Sequence, residues 1–222
     1  MLSVDGDGRP RRKRNCVSTP LRGALAMTKT KGTLLSAASM KIYITPIEEK
    51  TGSDAVRALL GHAYRAEYGG ALPEIAKTPR GKPFFPDRPD VHFSLSHSRT
   101  HVLCAISAFP VGADIESPRH ISRSAMRFFC SPEELLLFDP LDLWVLKESY
   151  LKLLGGTLPD IRKMRFSRDG EKITAPDETA FPRLYRVGDC RAAVSSFGEM
   201  PADSVIHVSG SDALFCSSFD CH

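Results

Sequence analysis

The stretch from residue 69 to residue 90 decides how this chain can be partitioned. Gly69-Gly70, Pro73, Pro79, Gly81, Pro83, Pro86 and Pro89 all fall within it, and neither a helix nor a central strand survives that density of breakers. It must run mostly as loop and turn, and a loop of that length inside a compact domain is usually functional. Regular structure is confined to either side. Upstream, Ile42 to Ile47 is a strand candidate, and Ser53 or Asp54 can cap a helix whose apolar positions Val56, Leu59, Leu60, Ala63 and Tyr64 recur at three and four. Downstream, strands are expected at 91–95 and 101–109. A further extended segment, Pro110 to Glu116, has a period of two that puts Asp114 and Glu116 on one face and Ile115 on the other.

Helices dominate the next part. Ser131-Pro132-Glu133-Glu134 has the cap, the first-turn proline and the acid three positions after the cap. Asp139-Pro140 opens a second helix that runs through Trp144, Lys147, Glu148, Leu151 and Lys152 and stops at Gly155-Gly156. Short strands are expected at 161–166, 183–187, 190–197 and 205–208, with turns at Asp169-Gly170 and Gly188-Asp189. Helices mixed with non-contiguous strands make the fold class α+β.

The formal charge of +4 does not describe the folded body. Residues 1–39 carry eight Lys or Arg against two Asp, so everything from Met40 onward is net −2, which gives no support to a nucleic-acid-binding surface. Segment 1–39 has no apolar periodicity and reads as a disordered basic tail or a mis-assigned start, with Met27 and Met40 as alternative starts. It offers too short and interrupted an apolar core for a secretory signal. Elsewhere the longest apolar runs, such as 102–108, fall well short of a membrane span. The six cysteines show no CxxC and no zinc-type spacing, which fits a protein of the reducing cytoplasm.

A charged carboxylate must be paired, hydrated or bound to a cation. Asp114 and Glu116 on one strand face, with Glu148 from an apolar helix as a third, suit a magnesium ion that takes oxygen ligands and retains water beside substrate phosphates. Taken alone, the same residues also fit a solvent-facing edge strand and an ordinary Glu148–Lys152 helix pair. Lys147 and Lys152 flank Glu148 as cations that could compensate phosphate charge, or as surface lysines. Ser96 and His97 at a strand end can donate to phosphate oxygens, and a turn histidine explains His97 as well. Arg80 and Lys82 place two cations in the constrained loop. No GxSxG elbow is present, which disfavours triad hydrolase chemistry.

Four blocks in order carry a resemblance: Gly81-Lys82-Pro83-Phe84-Phe85, His92-Phe93-Ser94-Leu95-Ser96-His97-Ser98, Val111-Gly112-Ala113-Asp114-Ile115-Glu116, and Trp144-Val145-Leu146-Lys147-Glu148-Ser149-Tyr150-Leu151-Lys152. Together they resemble the 4'-phosphopantetheinyl transferases, in the type that activates surfactin synthetase. The resemblance implies two pseudo-symmetric lobes, each a small antiparallel sheet packed with a long helix, over 40–110 and 111–215, with a flexible end at 216–222. It implies a monomer that moves the phosphopantetheine arm of coenzyme A onto an apo acyl or peptidyl carrier protein. A non-catalytic coenzyme A or carrier-binding protein of the same fold is the alternative. Asp114, Glu116 and Glu148 match magnesium ligands, and Glu148 and Lys152 the catalytic groups. Arg80, Lys82, Ser96, His97 and Lys147 match positions that contact coenzyme A, with Arg57 and Arg65 as weaker upstream candidates. The spacing from Asp114 to Glu148, 34 residues, is shorter than in larger members and implies a reduced carrier-facing surface.

Overall fold

The computed structural model describes residues 39–47 and 52–209. The readings made for segment 1–38 and for the end from 210 onward lie outside the described residues, as does the side chain of Ser53. Two sheets organise the rest. The first contains β1 (Lys41–Pro46), β4 (His92–His97), β5 (His101–Ser107) and β11 (Ile206–His207) in the order β11-β1-β5-β4. Its pairings are antiparallel except for β11, which joins β1 in parallel. The second is antiparallel, with β6 (Val111–Glu116), β9 (Ala180–Val187) and β10 (Cys190–Phe197) in the order β6-β10-β9. Two hairpins, β2 (Ala76–Lys77) with β3 (Pro83–Phe84) and β7 (Ser167–Asp169) with β8 (Lys172–Thr174), complete the strands. With helices α1 (Gly52–Tyr68), α2 (Arg123–Phe129), α3 (Pro132–Leu137) and α4 (Pro140–Leu154), the class is α+β.

Strand alternation explains the layering. From β1 and β5, Tyr43, Val102, Cys104 and Ile106 turn towards α1, where they meet Leu59, Leu60 and Ala63. The intervening Ile42, Ile44, Leu103 and Ala105 turn the other way and share a core with Val111, Ala113 and Ile115 of β6 and Ala192 and Val194 of β10. The remaining face of the second sheet receives α4. Each sheet thus has one long helix on its outer side, and the two sheets share an apolar interior that excludes water from both.

Beyond this core, the edge strands β4 and β6 are joined by side chains. Ser94 Oγ accepts from Ala113 N at 2.9 Å and Ser96 Oγ accepts from Ile115 N at 3.3 Å. Two serines spaced by the strand repeat therefore satisfy two amides of β6 that lack a backbone partner on that side.

Both capped helices begin as expected. Ser131 and Glu134 form a reciprocal capping box. Asp139 Oδ1 accepts from Leu141 N at 2.9 Å, Pro140 holds the first turn, and Gly155 ends α4 in the left-handed region at φ 62. Residues 161–166 differ from the expected strand: Leu158–Lys163 is a 3-10 helix. Pro159 sits in its first turn and the Asp160 carboxylate accepts from Thr157 N at 2.9 Å, a start signal that outweighs a short apolar run. Among the described residues no helix is long and apolar enough to cross a membrane.

The approach of α4 to the sheet is closest at Gly112. A Cβ built there would fall 2.0 Å from Ser149 O and 2.3 Å from Leu153 N, both backbone atoms that cannot swing aside. We predict that Gly112→Ala destabilises the fold by at least about 2 kcal/mol, read as a lowered urea midpoint; an unchanged midpoint would refute the tight seat.

Candidate active site

At 100° per residue, Trp144, Glu148 and Lys152 fall on one face of α4. That stripe meets the β6 face carrying Asp114 and Glu116. Trp144 Nε1 donates to Glu116 Oε1 at 3.0 Å, and Lys152 Nζ donates to Asp114 Oδ1 at 2.7 Å. Glu148 stands between these contacts along the helix. Asp114 is 6% exposed; its Oδ1 also accepts from Ser96 Oγ at 2.7 Å, while its Oδ2 is buried with no hydrogen-bond partner. Glu116 Oε1 takes a second donor, Arg119, at 3.0 Å.

The electrostatics follow from this crowding. Burial pushes the Glu148 carboxyl up from 4.5 to about 7, and the charges of Asp114 and Glu116 push the same way against Lys152 and Arg119. Glu116 is also raised, first by burial and then by Asp114. Two internal cations therefore leave the acidic cluster short of positive charge. The three carboxylates sense one another, yet among the described residues no three His, Cys, Asp or Glu form a ready-made ligand set for one ion.

The cationic residues are distributed unevenly. Lys82 Nζ donates to Leu153 O at 2.8 Å and to Val111 O at 3.4 Å, tying the end of α4 to β6, and burial lowers its pKa to about 8. Arg80, Lys82 and Lys152 line one cavity of about 230 Å³, floored by Phe93, Leu95 and Gly155-Gly156. Arg80 also borders a neighbouring cavity of about 370 Å³ with Tyr150, Asp160 and Lys163. Ser96 is not turned to this cavity; its hydroxyl serves Asp114 and Ile115 N. His97, exposed at the end of β4, alternates to the side that carries Phe93 and Leu95. Arg57 and Arg65 are on α1, against the first sheet.

Lys147 requires a correction. It is wholly buried, its Nζ pairing with Glu134 Oε2 at 2.8 Å and donating to Met164 O at 2.9 Å and to Phe129 O. One helical step of 100° from Glu148 carries it away from the cluster and into the layer formed by α2, α3 and the 3-10 turn. A diphosphate contact is incompatible with that position. It is a structural pin.

Comparison with known proteins identifies relatives of one kind. The chain is 36% identical over 170 residues to the 4'-phosphopantetheinyl transferase Sfp of Bacillus subtilis (strain 168), covering 68% of this chain and 75% of the relative. It is 34% identical over 148 residues to 4'-phosphopantetheinyl transferase psf-1 of Bacillus pumilus, covering 57% and 64%. With 4'-phosphopantetheinyl transferase gsp of Aneurinibacillus migulanus it shares 36% identity over 122 residues, covering 46% and 49%. The chain belongs to the 4'-phosphopantetheinyl transferases. No family model matches it. In this phosphopantetheinyl transferase, the residue pattern alone left Trp144 and Arg119 without a role at the cluster. The spacing of four that joins Trp144, Glu148 and Lys152 was the available signal for Trp144; nothing local marked Arg119.

Two outcomes follow for this phosphopantetheinyl transferase. Lys147→Met should destabilise by about 3–5 kcal/mol, because it strands a buried Glu134 charge, whereas Lys147→Met with Glu134→Gln should recover much of the loss in denaturant unfolding. A Glu148 carboxyl held near 7 rather than 4.5 stabilises the fold only while protonated, so its contribution is lost as pH rises through 7. In chelator, Glu148→Gln should therefore melt above the parent chain at pH 8, and the gap should close towards pH 4.5.

Proposed function

We propose that this chain transfers the 4'-phosphopantetheine arm of coenzyme A to a serine of an apo acyl or peptidyl carrier protein, releasing 3',5'-ADP. The observation that carries the proposal is the meeting of the α4 stripe with the β6 acids, where Trp144 Nε1 reaches Glu116 Oε1 at 3.0 Å and Lys152 Nζ reaches Asp114 Oδ1 at 2.7 Å, beside the cationic cavity that Lys152 also lines. The relatives are named as 4'-phosphopantetheinyl transferases, which supports the reaction class.

The donor set suits magnesium on the evidence of its own atoms. All three groups are oxygen donors, one buried Asp114 oxygen has no partner, and Glu148 gains its charge only against its neighbours. Asp114, Glu116 and Glu148 would hold the ion, and bound there it would neutralise charge on the coenzyme A diphosphate.

In the transfer itself, the carrier serine hydroxyl gives its proton to Glu148 as its oxygen bonds to the β-phosphorus of coenzyme A. The bond from that phosphorus to the oxygen bridging to the α-phosphate breaks, and the electron pair leaves with 3',5'-ADP. Lys152, held at Asp114, stabilises the departing oxygen. Ser96 orients Asp114. Arg80 and Lys82 give the cavity a positive wall for phosphate groups, and His97 at the strand end is a further donor to the coenzyme. The protein acts as a monomer of the cytoplasm.

Incubation with coenzyme A, magnesium and a panel of apo-carriers tests this reading by intact-protein mass spectrometry. The expected result is a carrier mass increase of one phosphopantetheine, abolished in Asp114→Ala of unchanged circular dichroism. Full carrier conversion by that variant would remove Asp114 from the machinery.

A further inference from the structure

Glu116 receives two donors on a single oxygen. Trp144 Nε1 and an Arg119 guanidinium nitrogen each lie 3.0 Å from Oε1. The two donors differ in kind. The indole is neutral and fixed, packed edge-on against Phe129 with ring centroids 4.9 Å apart. The guanidinium is charged, its side chain is 48% exposed, and it lies 5.5 Å from the Trp144 ring centroid. Arg119 follows Glu116 by three residues across Ser117-Pro118. It can leave Glu116 for water without disturbing the core, since neither its exposure nor its ring contact ties it to the interior.

A divalent cation at Glu116 would stand beside this guanidinium, and like charges at that range repel. Lys152 has a similar relation to Asp114, but it belongs to the transfer chemistry; Arg119 has no other task there. We propose that Arg119 is an internal counter-ion that competes with the divalent cation for Glu116 and so sets the cation affinity of the site, while Trp144 keeps the carboxylate in position. This rests on the reading of Asp114, Glu116 and Glu148 as the magnesium site.

The molecule carries its own reporter, because Trp144 is its single tryptophan and its indole is bonded to the carboxylate concerned. Magnesium titrations at constant ionic strength, followed by tryptophan fluorescence and in parallel by calorimetry, compare the full chain with Arg119→Met, Arg119→Lys and Asp114→Asn. The expected result is a Kd about fivefold lower in Arg119→Met, as for loss of one partly exposed ion pair. Arg119→Lys should stay within about twofold of the parent, and Asp114→Asn should lose saturable binding. Equal or weaker binding by Arg119→Met overturns the competition and leaves the magnesium site standing. If neither the parent chain nor Arg119→Met binds magnesium saturably, the site assignment itself fails, and the inference falls with it.

Discussion

The seat of α4 on β6 governs the rest of this molecule. Because residue 112 has no side chain, the helix backbone rests directly against the strand, closer than any pair of elements separated by side chains could lie. Depth and rotation of the helix are then set together. The stripe of Trp144, Glu148 and Lys152 is brought onto Asp114 and Glu116, and Ser149 meets Ser195 Oγ at 2.8 Å on the neighbouring strand. A helix buried on so many sides must also satisfy polar groups on its far side, which is the task of Lys147 and Glu134. Their ion pair binds α3, the end of α2 and the turn at Met164 to one point. It fixes the opposite face of the helix, and so helps to hold the rotation that aims Glu148.

The acidic cluster is held in the fold by unequal compensation. Asp114 has Lys152 and a serine on one oxygen and nothing on the other; Glu116 has an arginine and an indole; Glu148 is raised by burial first and then by Asp114, with Lys152 opposing. Such imbalance opposes folding, and it persists where a fold is arranged around a reaction rather than around its own stability.

Much of this was legible in the residue pattern. Alternation in β6 correctly separated the Ile115 anchor from the two acids, and the proline and glycine at either end of α4 bounded it closely, because backbone constraints of that kind act locally. The four motif blocks led to the family, as the relatives bear out. Tertiary facts were harder. Lys147 lies beside Glu148 in sequence, and only the direction of the surrounding layers decides that it faces inwards. Arg119 becomes relevant through a turn whose path no periodicity describes. The apolar run at 161–166 favours an extended segment, but Thr157 and Asp160 just before it supply a helical start, and the start prevails.

The serine links between β4 and β6 have one more effect. Each strand is the outermost member of its sheet, and an uncovered row of amides and carbonyls invites a strand from another molecule to add to it. Here the two edges face each other, with Ser94 and Ser96 of β4 accepting from amides of β6 in place of a backbone ladder. The chain thereby hides two aggregation-prone margins within itself while leaving the strands free of the strict register that direct pairing would impose.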